Sequence, residues 1–379
     1  MEISPSNAAR RARDTDVIGW GEADGAGLAR VMGWRMTEFH RNDKGASGDT
    51  FHYLIGWAKR CAVSSDQTPS ATSKTDSSNA QAVIDDFQAL VREAPAPDHA
   101  AATRERAAFD GIGVLADLAA WRASWVVDGA IRRPILVLFA ATYPDQKEGA
   151  AESRRSLEQL AQGVGPTNRL ARKLGSGVEA FDLAIDRPVR DAAFTPAMTL
   201  RETAATLAFG MEAIAKTPDV LLLSDLSMAS ERAAAALILG LTGVDWRSQV
   251  PELDSWKERA LTRAANASPP TPIDWLSELG GREIAALVGA IIAARASGTP
   301  VIIDGVAALA AALVAHSIHP RAAEHVLCAS AKDDFVCQTA LLQLGLAPVL
   351  QERNGESRGV LGLGVLGLLR TIEISADEA

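Results

Sequence analysis

The segment 220–233 joins an apolar run to two serines and the start of an alanine-rich helix, a pattern suited to anion binding. The hydroxyls of Ser227 and Ser230 and the free N–H groups of a first helical turn are donors that a phosphate can accept from. Glu231 follows directly, and its charge would repel a bound phosphate. We therefore favour helix capping for these serines, with anion binding as the alternative.

A second segment, 300–305, ends an apolar run with Asp304 and Gly305 and then enters another alanine-rich helix. The backbone N–H groups at the start of that helix could hold a phosphate or a carboxylate. Asp304 could equally cap the helix with its own side chain. The residues of this segment leave both interpretations open.

Two further patterns do not predict a cofactor or a metal. The glycines of 359–367 match a dinucleotide-binding spacing, but the chain ends before the acidic residue that would bind a ribose, so we predict a turn into a closely packed helix. His316, His319 and His325 lack the spacing of a helical zinc pair, and Pro320 ends their helix. We expect no metal and no cofactor.

Composition excludes several classes of partner and compartment. The net charge of −9 comes without a basic stripe, which argues against nucleic acid. The three cysteines have no CxxC spacing, which predicts a reducing compartment without disulfides. The N-terminus lacks the apolar stretch of a secretory signal, and no apolar run is long enough to span a membrane. We expect a cytoplasmic protein that binds neither nucleic acid nor a membrane.

Short apolar runs alternate with long alanine-rich helical segments through most of the chain, which predicts an α/β fold. The fold would be a three-layer, Rossmann-like arrangement, a mostly parallel sheet flanked by helices on both faces. Ligands would then bind at the carboxyl ends of the strands. The predicted strands are 135–140, 178–185, 220–224, 301–304, 325–328 and 348–350. The predicted helices are 157–174, 200–215, 233–241, 282–296, 307–317 and 334–344.

The chain divides into five predicted parts. Residues 1–63 form an N-terminal extension, and the Ser/Thr-rich run 64–80 forms a linker because it cannot bury enough apolar surface to fold. Residues 81–133 contribute to a small helical domain. Residues 134–350 form the α/β core, and 351–379 a C-terminal loop and helix.

Several segments occur in the same order as the motifs of one enzyme family. They are 109–121, 135–141, 163–172, 194–199, 279–283, 300–305, and 344–350 with 368–370. Together they resemble the nicotinate-nucleotide:dimethylbenzimidazole phosphoribosyltransferases over residues 82–371. These enzymes transfer ribose phosphate from nicotinate mononucleotide to dimethylbenzimidazole in cobalamin biosynthesis. The resemblance implies a homodimer with a smaller helical domain built from both chain ends.

The resemblance also implies site residues, with departures from the family pattern. The ungapped pairing puts Arg358 where the family has the glutamate that accepts the proton, and a guanidinium cannot do so. Glu356 lies two residues away, and Asp225 and Asp334 hold acidic positions of two other motifs, so these three are the candidate catalytic residues. The candidate substrate-binding residues are Asp304, Gly305, Asn168, Ser227, Ser230, Arg358 and Gly111.

Two functions remain open at this point. The first is a divergent phosphoribosyltransferase acting on a small nucleotide and an aromatic base. The second is a catalytically inactive homologue that acts as a binding, regulatory or hetero-oligomeric partner, for example of an active paralogue. In that case Arg358, Lys332 and Arg232 would recognise an anion directly.

Overall fold

One parallel sheet organises the computed structural model, which describes residues 15–18, 74–144, 149–250, 253–352 and 358–377. The strand order is β1-β3-β2-β4-β5-β6-β7, and every neighbouring pair is parallel. The predicted α/β fold with a parallel sheet is confirmed. The strands are β1 (Thr15–Ile18), β2 (Pro134–Ala140), β3 (Gly177–Asp182), β4 (Val220–Asp225), β5 (Val301–Asp304), β6 (Val326–Lys332) and β7 (Leu350–Glu352).

Helices connect the strands and cover both faces of the sheet. They are α1 (Lys74–Glu93), α2 (His99–Ala108), α3 (Val114–Trp125), α4 (Gly149–Ala161), α5 (Gly165–Leu174), α6 (Leu200–Gly210), α7 (Ser230–Thr242), α8 (Trp246–Gln249), α9 (Ser255–Ala267), α10 (Pro272–Leu279), α11 (Arg282–Ser297), α12 (Val306–Ile318), α13 (Phe335–Leu344) and α14 (Val360–Asp377). Short 3-10 helices occupy Val127–Gly129, Met211–Ile214 and Pro320–Ala323. No helix in these described ranges is long and apolar enough to cross a membrane.

The central strand β2 shows why its sequence is continuously apolar. Every residue of β2 is buried, and the side chains alternate between two separate cores. Ile135, Val137 and Phe139 join the core that includes α1, α6, α7, α11 and α12. Leu136 and Leu138 join the core that includes α3, α4, α5 and α14. A strand buried on both faces has no solvent side, so it lacks the polar alternation of a half-exposed strand.

Several predicted boundaries are wrong in instructive ways. The predicted helix 157–174 is two helices, α4 and α5, because Gly163 and Gly165 adopt positive φ angles of 72° and 91° between them. The predicted strand 348–350 lies instead at Leu350–Glu352. Helix α1 begins at Lys74, so the last residues of the predicted linker, 74–80, are helical. The division into domains stays a prediction.

Helices α6 and α11 cross with their backbones in direct contact. A Cβ atom added at Gly210 would lie 1.9 Å from the carbonyl oxygen of Ala286, and one added at Gly289 would lie 1.9 Å from that of Leu207. Only glycine permits this approach. The crossing fixes α11 in the layer that covers β2 and β4 on one face of the sheet.

Candidate active site

A cleft opens at the carboxyl ends of β4, β5, β6 and β7, where parallel α/β sheets generally bind ligands. Five of its lining residues lie in these strands or follow them directly: Ser224, Asp225, Gly305, Lys332 and Glu352. The complete lining is Ser224, Asp225, Ser230, Glu231, Gly305, Val306, Ala307, Lys332, Glu352 and Arg358.

Two helices begin at this cleft without a side-chain cap. Helix α7 begins at Ser230 after Ala229, and α12 begins at Val306 after Gly305. No side chain in the described part of the protein caps either start. At α7 the N–H groups of Ser230 and Arg232 donate to the backbone carbonyls of Ser227 and Ala229, so it is mainly the first turn of α12 that keeps its capacity to donate. Each helix also directs the positive end of its dipole towards the cleft. The arrangement suits an anionic group.

The capping that we favoured for the serines is therefore wrong, and of the two interpretations left open for Asp304, capping is excluded. The N-cap of α7 is Ala229, which adopts a left-handed conformation with φ 66° and has no side-chain acceptor. The Ser227 hydroxyl is buried and accepts instead from the backbone N–H of Ala141, at 2.8 Å, which ties the end of β2 to the loop after β4. Ser230 lines the cleft.

Asp304 points into the protein rather than towards its own helix. Its side chain accepts from the Ser330 hydroxyl at 2.6 Å and from the backbone N–H of Gly362 at 2.9 Å. Its backbone carbonyl accepts from the Ser224 hydroxyl at 2.9 Å, and the residue is 1% exposed. Asp304 thus joins β4, β5, β6 and α14. The next residue, Gly305, has a φ of 97° and lines the cleft at the end of β5.

We expect Asp304→Ala to lower the free energy of unfolding by about 2 kcal/mol, because hydrogen bonds to a charged acceptor and burial of the donors left behind both contribute at this scale. Urea denaturation measures the change. Asp333→Ala is the matched control, since Asp333 is exposed and accepts only a 3.3 Å bond from Gln338. Equal stability losses in the two variants would contradict the structural role of Asp304.

Charged side chains of opposite sign meet in the cleft. The Lys332 ammonium lies 2.5 Å from Glu231. Partial burial lowers the pKa of Lys332, but its hydrogen bond and charge interaction with Glu231 outweigh burial, so the pKa is raised overall. Glu231 is therefore partly neutralised by Lys332, which weakens its repulsion of a bound anion.

Arg358 lines the cleft, and contacts with helix α4 hold its guanidinium in place. Its Nη1 donates to the Ser156 hydroxyl at 2.8 Å, and its Nη2 lies 3.6 Å from Glu152, both on α4. Its own carbonyl accepts from the Thr167 hydroxyl on α5, at 3.2 Å. Arg358 has φ 47°, in the left-handed region. The guanidinium therefore adds positive charge to the cleft wall while α4 fixes its position.

Of the two candidate catalytic acids that the structure describes, Asp225 and Asp334, only Asp225 lines the cleft. One of its carboxylate oxygens accepts from the backbone N–H of Ser227 at 3.0 Å, which orients the group. Asp334 does not line the cleft, since it is exposed and caps α13 by accepting from the N–H of Cys337 at 2.8 Å. Glu356 lies outside the described residues.

Three other predicted residues lie away from the cleft. The Asn168 amide donates to the carbonyls of Leu160 and Val164, at 3.1 and 3.0 Å, and so closes the turn between α4 and α5. Gly111 lies in the exposed turn between α2 and α3, with φ 77°. Arg232 places its guanidinium 4.2 Å from the centre of the Trp256 ring.

A buried acid and phenol form a second polar pair near Asp225. The Tyr143 hydroxyl donates to Glu283, and both residues are buried, with Glu283 0% exposed. Burial raises the pKa of Glu283 to about 7. Burial and the charges of Glu283 and Asp225 raise the pKa of Tyr143 well above its usual value. A Cβ at Gly281 would lie 2.1 Å from the Tyr143 hydroxyl, so a larger residue there would displace the Tyr143 and Glu283 side chains from each other.

Comparisons with known proteins assign the chain to a family. A family model of phosphoribosyltransferases matches residues 95–363. The chain belongs to this phosphoribosyltransferase family. It is 35% identical to the nicotinate-nucleotide–dimethylbenzimidazole phosphoribosyltransferases of Sinorhizobium medicae and of Rhizobium meliloti, in each case over 75% of this chain and 91% of the relative.

Solved structures show the same fold as this chain. The crystal structure of nicotinate-nucleotide-dimethylbenzimidazole phosphoribosyltransferase from Thermus thermophilus superposes with a TM-score of 0.61. It shares 23% sequence identity, and the match covers 77% of this chain and 96% of that chain. At this identity the likeness supports the fold, while the family assignment rests on the sequence comparisons.

Two acidic residues of the cleft, Glu231 and Glu352, are not among the predicted site residues. The sequence presents Glu231 only as a charge opposing an anion, and it gives no sign of Glu352 because the predicted strand 348–350 ends two residues too early. The rule that ligands bind at strand ends would find Glu352 with the correct boundary. No group of three or more His, Cys, Asp or Glu side chains in the described ranges is arranged to hold a metal ion.

Proposed function

We propose that this protein transfers ribose phosphate from a nucleotide to an aromatic base, as the names of its relatives state for nicotinate mononucleotide and dimethylbenzimidazole. The observation that carries the proposal is the pair of uncapped helix starts, at Ser230 and Val306, on one cleft at the carboxyl edge of the sheet. Their N–H groups suit the phosphate of such a nucleotide.

The reaction needs few groups from the protein. The base loses a proton from one ring nitrogen and attacks C1′ of the ribose, and the bond from C1′ to the nicotinate nitrogen breaks as the new bond forms. The phosphate would lie between Ser230 and Gly305, with Arg358 and Lys332 supplying positive charge. Among the described cleft residues, Asp225 is the proton acceptor we favour, because Ser227 holds its carboxylate in place.

A second function stays open because one observation favours it. Ser156 and Glu152 on α4 fix the side chain of Arg358, the residue that the sequence resemblance pairs with the family's catalytic glutamate. A cation held there suits anion recognition better than proton abstraction. The alternative is a catalytically inactive homologue that binds the nucleotide or pairs with an active paralogue. The expected homodimer and the cytoplasmic location remain part of the proposal.

The test is a transfer assay with nicotinate mononucleotide and dimethylbenzimidazole, with nicotinate release followed by chromatography. We expect turnover in the unmodified protein and at least a ~100-fold loss of kcat/KM in Asp225→Asn, the scale at which a general base acts. Asp333→Asn is the matched control and should keep full activity, because Asp333 is exposed and does not line the cleft.

Other outcomes assign the function differently. A loss in Glu356→Gln but not in Asp225→Asn moves the proton acceptor to Glu356 and keeps the transfer. Binding of nicotinate mononucleotide in calorimetry without any nicotinate release supports the inactive homologue. Absence of binding by either substrate contradicts the transfer reaction, the nucleotide-binding role and the cleft as their site, and leaves only pairing with an active paralogue.

A further inference from the structure

A second cavity, of about 1100 Å³, lies at the opposite edge of the sheet from the candidate active site. Its walls include Ile131 and Arg132, which precede β2, and Ser297 and Gly298, which precede β5. The α2–α3 helix pair and the later part of α14 complete it. The cavity is slightly larger than typical small-molecule sites, which are about 300–1,000 Å³.

Arg122 lines this cavity with a donor that the protein does not satisfy. The residue is 4% exposed, and its Nη2 lies 3.1 Å from Glu105. Its Nε is buried and has no hydrogen-bond partner among the described residues. A buried donor without an acceptor is costly, and a guanidinium stays charged at every accessible pH. An acceptor oxygen from a ligand in the cavity would satisfy this donor once the side chain moves enough to expose the Nε atom.

Most of the negative charge around the cavity is already engaged. Asp98 accepts from the backbone at the start of α2 and caps that helix. Glu105 holds Arg122, and Glu373 lies 3.0 Å from Arg370. These acids are therefore committed to helix capping and ion pairs within the protein, and they oppose a bound anion only weakly.

Two arginines of the cavity keep their charge available. The side chains of Arg104 and Arg132 make no ion pair or hydrogen bond within the described ranges, and both are exposed. Among the acids of the lining, Asp128 is the one whose side chain makes no ion pair or hydrogen bond within the described ranges. The whole lining holds four arginines and four acids, so its formal charge is zero, in a protein whose net charge is −9. A cavity without net negative charge, with two guanidinium groups outside any ion pair of the described residues, admits an anion more readily than the acidic remainder of the protein.

We propose that this cavity binds an organic anion of metabolite size, which presents phosphate or carboxylate oxygens to Arg122, Arg104 and Arg132. Guanidinium groups bind both oxyanions through paired N–H donors. The site is separate from the cleft at the carboxyl edge and requires none of its residues. The inference therefore stands independently of the proposed transfer reaction.

Calorimetric titration of the full chain with pyrophosphate, and separately with citrate, tests the proposal. We expect at least one of these two probes to bind, and binding to weaken at least about tenfold in Arg122→Gln and in the double variant Arg104→Gln/Arg132→Gln. Arg169→Gln, a change of an exposed arginine on α5, should leave the affinity unchanged. Preference for pyrophosphate or for citrate then distinguishes a phosphate ligand from a carboxylate ligand.

Further variants separate this site from the candidate active site. Pyrophosphate could also bind at the cleft, so the titration is repeated in Ser230→Ala and in Arg358→Gln, which should not change binding at the proposed site. The double variant alters only exposed side chains, so its fold is expected to persist even if Arg122→Gln unfolds. Unchanged affinity in the double variant, or no binding of either probe to the unmodified protein, would overturn the proposal.

Discussion

Gly289→Ala is expected to lower the free energy of unfolding by at least about 3 kcal/mol, at the upper end of what overpacking costs. The new methyl group would lie 1.9 Å from the Leu207 carbonyl oxygen and 2.8 Å from the carbonyl carbon. Both atoms belong to the backbone of α6, so no side-chain rotation can relieve the clash. Helix α11 would have to move away from α6 and from the sheet that it covers.

Gly364→Ala is the matched control for this prediction. Gly364 is also a helical glycine, in α14, but a Cβ there would meet only the Leu350 side chain, at 3.7 Å. Alanine has the better helix propensity by about 1 kcal/mol, so this variant should be as stable as the unmodified protein or more stable. Urea denaturation followed by circular dichroism compares the two. Similar stabilities in both variants would show that α6 and α11 do not touch at Gly289.

The crossing also illustrates which features of the fold could be predicted from the sequence. The apolar runs at 135–140, 220–224 and 301–304 predict buried parallel strands because continuous apolarity is typical of strands covered on both faces. The strands β2, β4 and β5 lie at those positions within one residue at each end. Nothing local in the sequence marks Gly210 and Gly289 as partners, since their proximity depends on the packing of two helices.

The candidate site also has features that could be predicted from the sequence and features that could not. Asp225, Ser230 and Gly305 could be predicted to share a cleft because they follow strands that end at the same edge of the sheet. The orientation of Asp304 could not, since its partners Ser330 and Gly362 come from β6 and α14. A side chain at the end of a strand can turn inward or outward, and long-range contacts decide which.

Asn168 and Gly111 show the limit of transferring roles by resemblance. Both match the family's motifs by position, yet they lie in helix turns that do not line the cleft of the same chain. A motif residue can serve the fold as well as the ligand, and a pattern in the sequence does not separate the two roles. Glu283 shows the opposite limit. It lies in a segment that matches the family, but its hydrogen bond with the buried Tyr143 could not be predicted because the two residues are distant in sequence.

Glu283→Gln is expected to remove a pH-dependent loss of stability. The pKa of Glu283 is raised by burial to about 7 in the folded protein, from 4.5 when exposed. Its contribution to stability is therefore fully present below pH 4.5 and is lost as the pH rises through about 7. The loss amounts to about 3 kcal/mol, an order-of-magnitude figure from the size of the shift.

The measurement is the free energy of unfolding between about pH 5 and pH 8.5, a range that spans most of this titration. The unmodified protein should lose stability across it relative to Glu283→Gln, whose amide keeps an acceptor for the Tyr143 hydroxyl but cannot ionise. His325 changes stability in the opposite direction, because burial and the charge of Arg295 lower its pKa to about 3. That contribution is present in both proteins and cancels in their difference.

Glu258→Gln, at an exposed position on α9, is the matched control and should follow the unmodified protein at every pH. A pH profile of Glu283→Gln that parallels the unmodified protein would show that Glu283 does not titrate in the folded state within this range. If the difference appears, ionisation of Glu283 also places a negative charge beside Tyr143, a residue that senses the charge of Asp225. The same transition should then alter the pH dependence of any reaction in which Asp225 accepts a proton.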